Sequence, residues 1–125
     1  MAAGTKAQMV AIVEDDESYR VALQRLLKSA GFAVTSFASA GDFLNHGHQD
    51  ETGCLIVDIR MPGMSGLDLQ AKLNDDRCTI PIIFITAHGD ERTRLQAMRG
   101  GASKFLAKPF DGATLLDGVR AALAK

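Results

Sequence analysis

Five short, nearly unbroken apolar runs are spaced along this chain, at 9–13, 33–37, 54–57, 82–85 and 104–107. A half-exposed strand alternates apolar and polar residues, whereas these runs leave no polar face. They therefore predict strands covered on both sides, as in a parallel sheet between layers of helices. The intervening segments supply the covers. Tyr19, Leu23, Leu26, Leu27 and Ala30 fall on one helical face, with Ser18 or Glu17 as a start and Gly31 as a stop. Residues 40–46 predict a shorter helix with Phe43 and Leu44 inward. Leu67, Leu69, Ala71 and Leu73 lie in a third helix that begins after Gly66. Leu95, Ala97 and Met98 mark a fourth, ended by Gly100 and Gly101. Leu115, Leu116, Val119 and Leu123 mark a fifth, capped by Asp111. A βα unit repeated five times is the pattern of a doubly wound α/β sheet. The length of 125 residues suits one domain, and 46% hydrophobic residues argue against a disordered chain.

The ends of the runs carry the chemistry. Cys54-Leu55-Ile56-Val57 leads directly into Asp58, and burying an unpaired carboxylate is costly. The first run likewise ends in Glu14, Asp15 and Asp16. Doubly wound sheets bind ligands at the carboxyl ends of their strands, so these acids stand where a site is expected. Crowded carboxylates raise one another's pKa unless a cation intervenes, and hard oxygen donors favour Mg²⁺. Asp58 can serve as a nucleophile that forms an acyl phosphate. Its alternative role is a structural metal ligand or a loop cap. Asp16 and Glu17 read as acids favouring a helix N-terminus. The Thr86 hydroxyl at the end of the fourth run could bond a phosphoryl oxygen, and the Lys108 ammonium before Pro109 could neutralise its charge. Taken singly, these two also fit an ordinary strand end and a surface lysine.

Composition narrows the function further. A net charge of −1 argues against nucleic-acid binding through a broad basic face. No apolar stretch approaches the roughly 18 residues of a membrane span. Residues 1–8 lack the apolar core of a signal peptide, and 1–7 read as a flexible N-terminus. Cys54 and Cys78 form no disulfide framework and read as reduced thiols of a cytoplasmic protein. His46, His48 and His88 show no metal-ligand spacing, and His46 and His48 are placed in an exposed loop beside Gly47. Pro62-Gly63-Met64-Ser65-Gly66 lacks the lysine-serine ending of a P-loop and reads as a tight turn, with Met61 and Met64 packing the loop.

Together, Val13-Glu14-Asp15-Asp16, Leu55-Ile56-Val57-Asp58, Met61-Pro62-Gly63-Met64-Ser65-Gly66, Ile85-Thr86-Ala87 and Lys108-Pro109-Phe110 resemble the receiver domain of two-component response regulators. The resemblance runs from Gln8 to about Ala124. Ile83-Phe84-Ile85-Thr86-Ala87-His88-Gly89-Asp90 and Phe105-Leu106-Ala107-Lys108-Pro109-Phe110 bring it closest to the FixJ-like subfamily. It implies a single receiver domain over 1–125 with a five-stranded parallel sheet of flavodoxin-like topology, order 2-1-3-4-5. It also implies that Asp58 accepts phosphate from a sensor histidine kinase. Asp15 would bind Mg²⁺ (or Mn²⁺) directly, Glu14 mainly through water, with Asp58 and the Arg60 backbone carbonyl as further ligands. Thr86 and Lys108 would bind the phosphoryl group, Phe105 would be the switch aromatic, and the Lys108–Pro109 bond would be cis.

By the same resemblance, phosphorylation would repack the face of helix 4, strand 5 and helix 5 around Leu95, Met98, Phe105 and Leu115. That change would control a homodimer or an output partner, through a transcriptional response. Two departures qualify the likeness: Glu14 stands where many relatives have Asp, and Arg60 and His88 occupy variable positions near the phosphoryl group. The chain would act as a switch rather than a multiple-turnover enzyme. Two other classes stay open from the residues themselves. An aspartyl phosphatase would need a general acid two residues beyond Asp58, where Arg60 stands. A nucleotide or flavin module would need a Gly-rich loop after the first strand, where acids stand. FixJ-like receivers usually precede a DNA-binding domain, so the chain is expected to be a stand-alone receiver or part of a longer regulator.

Overall fold

The computed structural model describes residues 8–87 and 89–124. Residues 1–7, expected to be flexible, and His88 lie outside them. The elements follow in strict alternation: β1 (Met9–Val13), α1 (Glu17–Ser29), β2 (Val34–Phe37), α2 (Ala40–His46), β3 (Thr52–Asp58), α3 (Gly66–Asp75), β4 (Ile82–Thr86), α4 (Glu91–Arg99), β5 (Lys104–Ala107) and α5 (Gly112–Leu123). A single 3₁₀ turn, Gln49–Glu51, precedes β3. The strands are all parallel, in the order β2-β1-β3-β4-β5. This is the five-stranded doubly wound sheet expected from the sequence.

Period-two geometry divides the apolar strand residues between two cores. Ala11, Val13, Leu55, Val57 and Phe84 face α2, α3 and α4, where Phe43, Leu69, Leu73 and Ala97 meet them. Val10, Ile12, Ile56, Ile83 and Ile85 face α1 and α5, where Leu23, Leu27, Leu115 and Val119 meet them. The two covered faces explain why the runs lacked alternation.

Several boundaries differ from the sequence reading. β3 begins at Thr52, whose hydroxyl donates to the His48 carbonyl, and β2 begins at Val34 rather than Ala33. His46 closes α2, as the predicted span 40–46 has it, and so does not lie in the loop beside Gly47. Of the two expected starts of α1 the structure takes Glu17, with Asp16 as N-cap, its carboxylate accepting from the Tyr19 N–H. Asp111 caps α5 as expected, and Gly31 takes a φ of +94° just past α1, a conformation that suits glycine. Ala71 and Leu95 are exposed, and Leu115 is fully buried in the core. Leu115 therefore cannot belong to a surface that partners meet. Its place follows from the α5 stripe, which points at the sheet.

Candidate functional site

Strand register brings the sequence-predicted residues to one end of the sheet. Val13 pairs with Val57, so Glu14 and Asp58 leave adjacent strands at the same level. Thr86 pairs with Ala107, and Lys108 follows, its N–H donating to the Thr86 carbonyl at 2.7 Å. The Lys108–Pro109 bond is cis. Behind Asp58, the loop turns back so that the Gly66 N–H reaches the Ile59 carbonyl at 2.9 Å. A β-carbon on Gly66 would lie 2.6 Å from the Asp58 carbonyl oxygen, so this close approach requires glycine. Met61 is buried and Met64 packs on the core beneath the loop.

Lys108 is the hub. Its Nζ donates to Glu14 Oε1 at 2.8 Å and to Asp58 Oδ2 at 3.3 Å. Glu14 is wholly buried, and Asp58 nearly so. The Asp16 N–H donates to the second Glu14 oxygen at 3.1 Å, and the Arg60 N–H donates to Asp58 Oδ1 at 3.2 Å. Asp15 lies exposed beside them, and carboxylate oxygens of Glu14, Asp15 and Asp58 lie within 4.8 Å of one another. Three acids cluster here, and the one ammonium bonds two of them, Glu14 and Asp58. Burial pushes the Glu14 carboxyl above its usual range, against the pull of Lys108, and neighbouring Asp58 adds to the rise. Burial works against the Lys108 charge too, but the two carboxylates outweigh it and hold its pKa up. An all-oxygen donor set with surplus negative charge suits a hard divalent cation such as Mg²⁺.

Thr86 ends β4, buried, with its methyl carbon and the Phe105 ring both close to Gly89. Phe105 is half-buried on β5, level with Phe84. Asp16 stays out of the acid cluster and serves as a helix cap, as its sequence position suggested.

Three neighbours of the site receive no site role from sequence. Arg20 Nη1 donates to the Glu14 carbonyl at 2.8 Å, holding the chain at the end of β1. The Tyr19 ring lies under the Lys108 ammonium, 4.0 Å from Nζ to the ring centroid. Phe110 meets Tyr19 edge-on at 6.3 Å. Tyr19 belongs to the apolar stripe of α1, and nothing in that spacing distinguishes a core aromatic from one that faces a lysine just past a distant strand.

Residues 10–120 match the family model described as the response regulator receiver domain. The chain is 50% identical over 120 residues to nodulation protein W of Bradyrhizobium diazoefficiens, covering 96% of this chain and 52% of that protein. It is 43% identical over 116 residues to the transcriptional regulatory protein FixJ of Azorhizobium caulinodans, covering 93% of this chain and 55% of that relative. Among solved structures, the crystal structure of FixJ-N is similar with a TM-score of 0.87 and 38% identity, over 96% of both chains. The chain thus spans about half the length of the two full-length relatives. Among the described residues, no helix is long and apolar enough to cross a membrane.

Proposed function

This chain belongs to the response regulator receiver domains, and from that premise we propose that Asp58 is the phosphoacceptor of a two-component switch. The observation that carries the reading is the Lys108 ammonium shared between Glu14 and Asp58 at the carboxyl end of the parallel sheet. The donor would be a phosphohistidine on a sensor histidine kinase. An Asp58 oxygen attacks phosphorus, the O–P bond forms and the N–P bond breaks. The electron pair stays on the imidazole nitrogen, which takes a proton from solvent. Asp58 enters as a carboxylate and gives up no proton. Water later attacks the acyl phosphate, releasing inorganic phosphate and restoring the carboxylate.

Most of the acceleration is positioning and electrostatics. Lys108 swings its charge onto the phosphoryl oxygens, and the Thr86 hydroxyl donates to another of them. Glu14, Asp15, Asp58 and the Arg60 carbonyl would hold Mg²⁺. When bound, the ion supplies positive charge to the transferring group. Arg60 stands where a multiple-turnover phosphatase would place its general acid, which supports a switch rather than an enzyme.

The output would run through α4, β5 and α5. Leu95 and Met98 on α4 are each 39% exposed, and Phe105 is only half-buried beside Thr86 and Gly89. Drawing Thr86 toward a phosphoryl group frees space for the Phe105 ring to move inward, which alters this face for a second copy or an output partner. In the nodulation and FixJ relatives the remaining half of the chain lies outside the matched region, and regulation of transcription is proposed here from the likeness to FixJ.

The test is intact mass after incubation with Mg²⁺ and acetyl phosphate. One labile phosphate adduct is expected on wild type, none on Asp58→Asn, and none when chelator is present. An adduct that persists on Asp58→Asn would overturn the assignment.

A further inference from the structure

We propose that Tyr19 is a positioning residue for phosphoryl transfer to Asp58, its ring face holding the Lys108 ammonium between Glu14 and Asp58. The inference rests on the acceptor reading above. An ammonium has three N–H donors. Two carboxylates, at 2.8 and 3.3 Å, and the Tyr19 ring, 4.0 Å from Nζ to its centroid, surround this one. A lysine has a long, flexible stem, and its side chain here is 15% exposed. Without the ring, the side of the ammonium that faces Tyr19 would open toward water.

Tyr19 is held at its backbone and at its ring. Asp16 caps α1 and accepts from the Tyr19 N–H at 3.0 Å, which fixes the first helical turn. Phe110 meets the ring edge-on, 6.3 Å between centroids and 72° between planes. Phe110 lies two residues after Lys108, so the β5–α5 loop carries both the ammonium and the brace for the ring beneath it. A cation over an aromatic face is favoured by the ring quadrupole, more so where water is partly excluded. The preference needs only the ring, since a hydroxyl at its edge adds little to the field over its face.

Three proteins decide the matter: wild type, Tyr19→Phe and Tyr19→Leu. Leucine keeps apolar bulk against the core but removes the ring. The first readout is the rate of Asp58 phosphorylation by acetyl phosphate with Mg²⁺. Tyr19→Leu is expected to be slower by about fivefold, the scale of one partly desolvated cation–π contact, and Tyr19→Phe to restore the rate. The second readout is the NMR signal of the Lys108 ε-methylene protons in metal-free protein. The ring current should displace it in wild type and Tyr19→Phe, and the displacement should vanish in Tyr19→Leu. A Tyr19→Leu protein that phosphorylates at the wild-type rate would overturn the proposal. So would a slowed Tyr19→Leu whose Lys108 signal has not moved, or a Tyr19→Phe as slow as Tyr19→Leu. Wild type with displaced Lys108 signals but no adduct on Asp58 would overturn the acceptor reading itself, and the positioning role with it.

Discussion

Glu14 has no exposed surface, yet it carries a carboxylate. Lys108 and the Asp16 N–H offset that charge, but burial is the larger effect and leaves the carboxyl above its usual range. A raised carboxyl pKa means the folded state binds the proton more tightly than the unfolded chain. Its contribution to stability is full below the ordinary carboxylate value of 4.5 and is lost as pH rises through the folded value. At neutral pH and without metal, ionised Glu14 therefore weakens the fold. Glu14→Gln is expected to melt at a higher temperature than wild type at pH 7 in chelator, with the gap closing toward pH 4.5. Added Mg²⁺ should raise the wild-type midpoint more than that of the variant. Thermal melts across this pH range check it, and a variant that melts lower at pH 7 would show that the Lys108 pair outweighs burial. The acids, Thr86 and Lys108 were legible in sequence because a polar group at the end of an apolar run demands a reason. Tyr19 was not, since an aromatic in a helical stripe already has one.

The helices begin where short polar side chains can satisfy the first free N–H groups. Asp16, Ser39, Ser65, Asp90 and Asp111 cap α1 to α5 in turn. Ser65 does so within a full capping box, with the Asp68 carboxylate returning to the Ser65 N–H. Asp16 is the informative case, because it stands in a run of acids yet belongs to the helix. Asp16→Ala is expected to cost about 1 kcal/mol of stability, the usual scale of a lost N-cap, while Asp58 still takes the phosphate label. Denaturant titration and the mass assay together separate the roles, and loss of the adduct would place Asp16 in the metal site. Element order could be read from sequence, and the ends of the elements less well. Thr52 shows why: a hydroxyl bonded to the chain four residues back leaves no apolar signal.

Across the whole molecule, order is distributed unevenly. β1, β3 and β4 are buried on both faces, whereas α4 buries only Ala97. The C-terminal end of α4 is tied to α3 through polar side chains. Gln70 Nε2 donates to the Ala97 carbonyl at 2.9 Å and Asn74 Nδ2 to the Gly100 carbonyl at 3.0 Å. The helix that the proposed switch must move is thus lightly buried and held at one end. Amide exchange in α4 is expected to run at least about tenfold faster than in β3 and β4, and Gln70→Ala to quicken it further. Equal protection across α4 and the central strands would contradict this. The parallel sheet and the chemical types at its carboxyl edge follow from the residues alone. Unbroken apolar runs need cover on both faces, and acids at their ends need a compensating charge. Which groups share that charge depends on the folded arrangement. Lys108 meets Glu14 across 94 positions and Asp58 across 50, and Tyr19 comes beneath it from the first helix. Contacts at that separation are fixed by strand order and register, which local spacing does not encode.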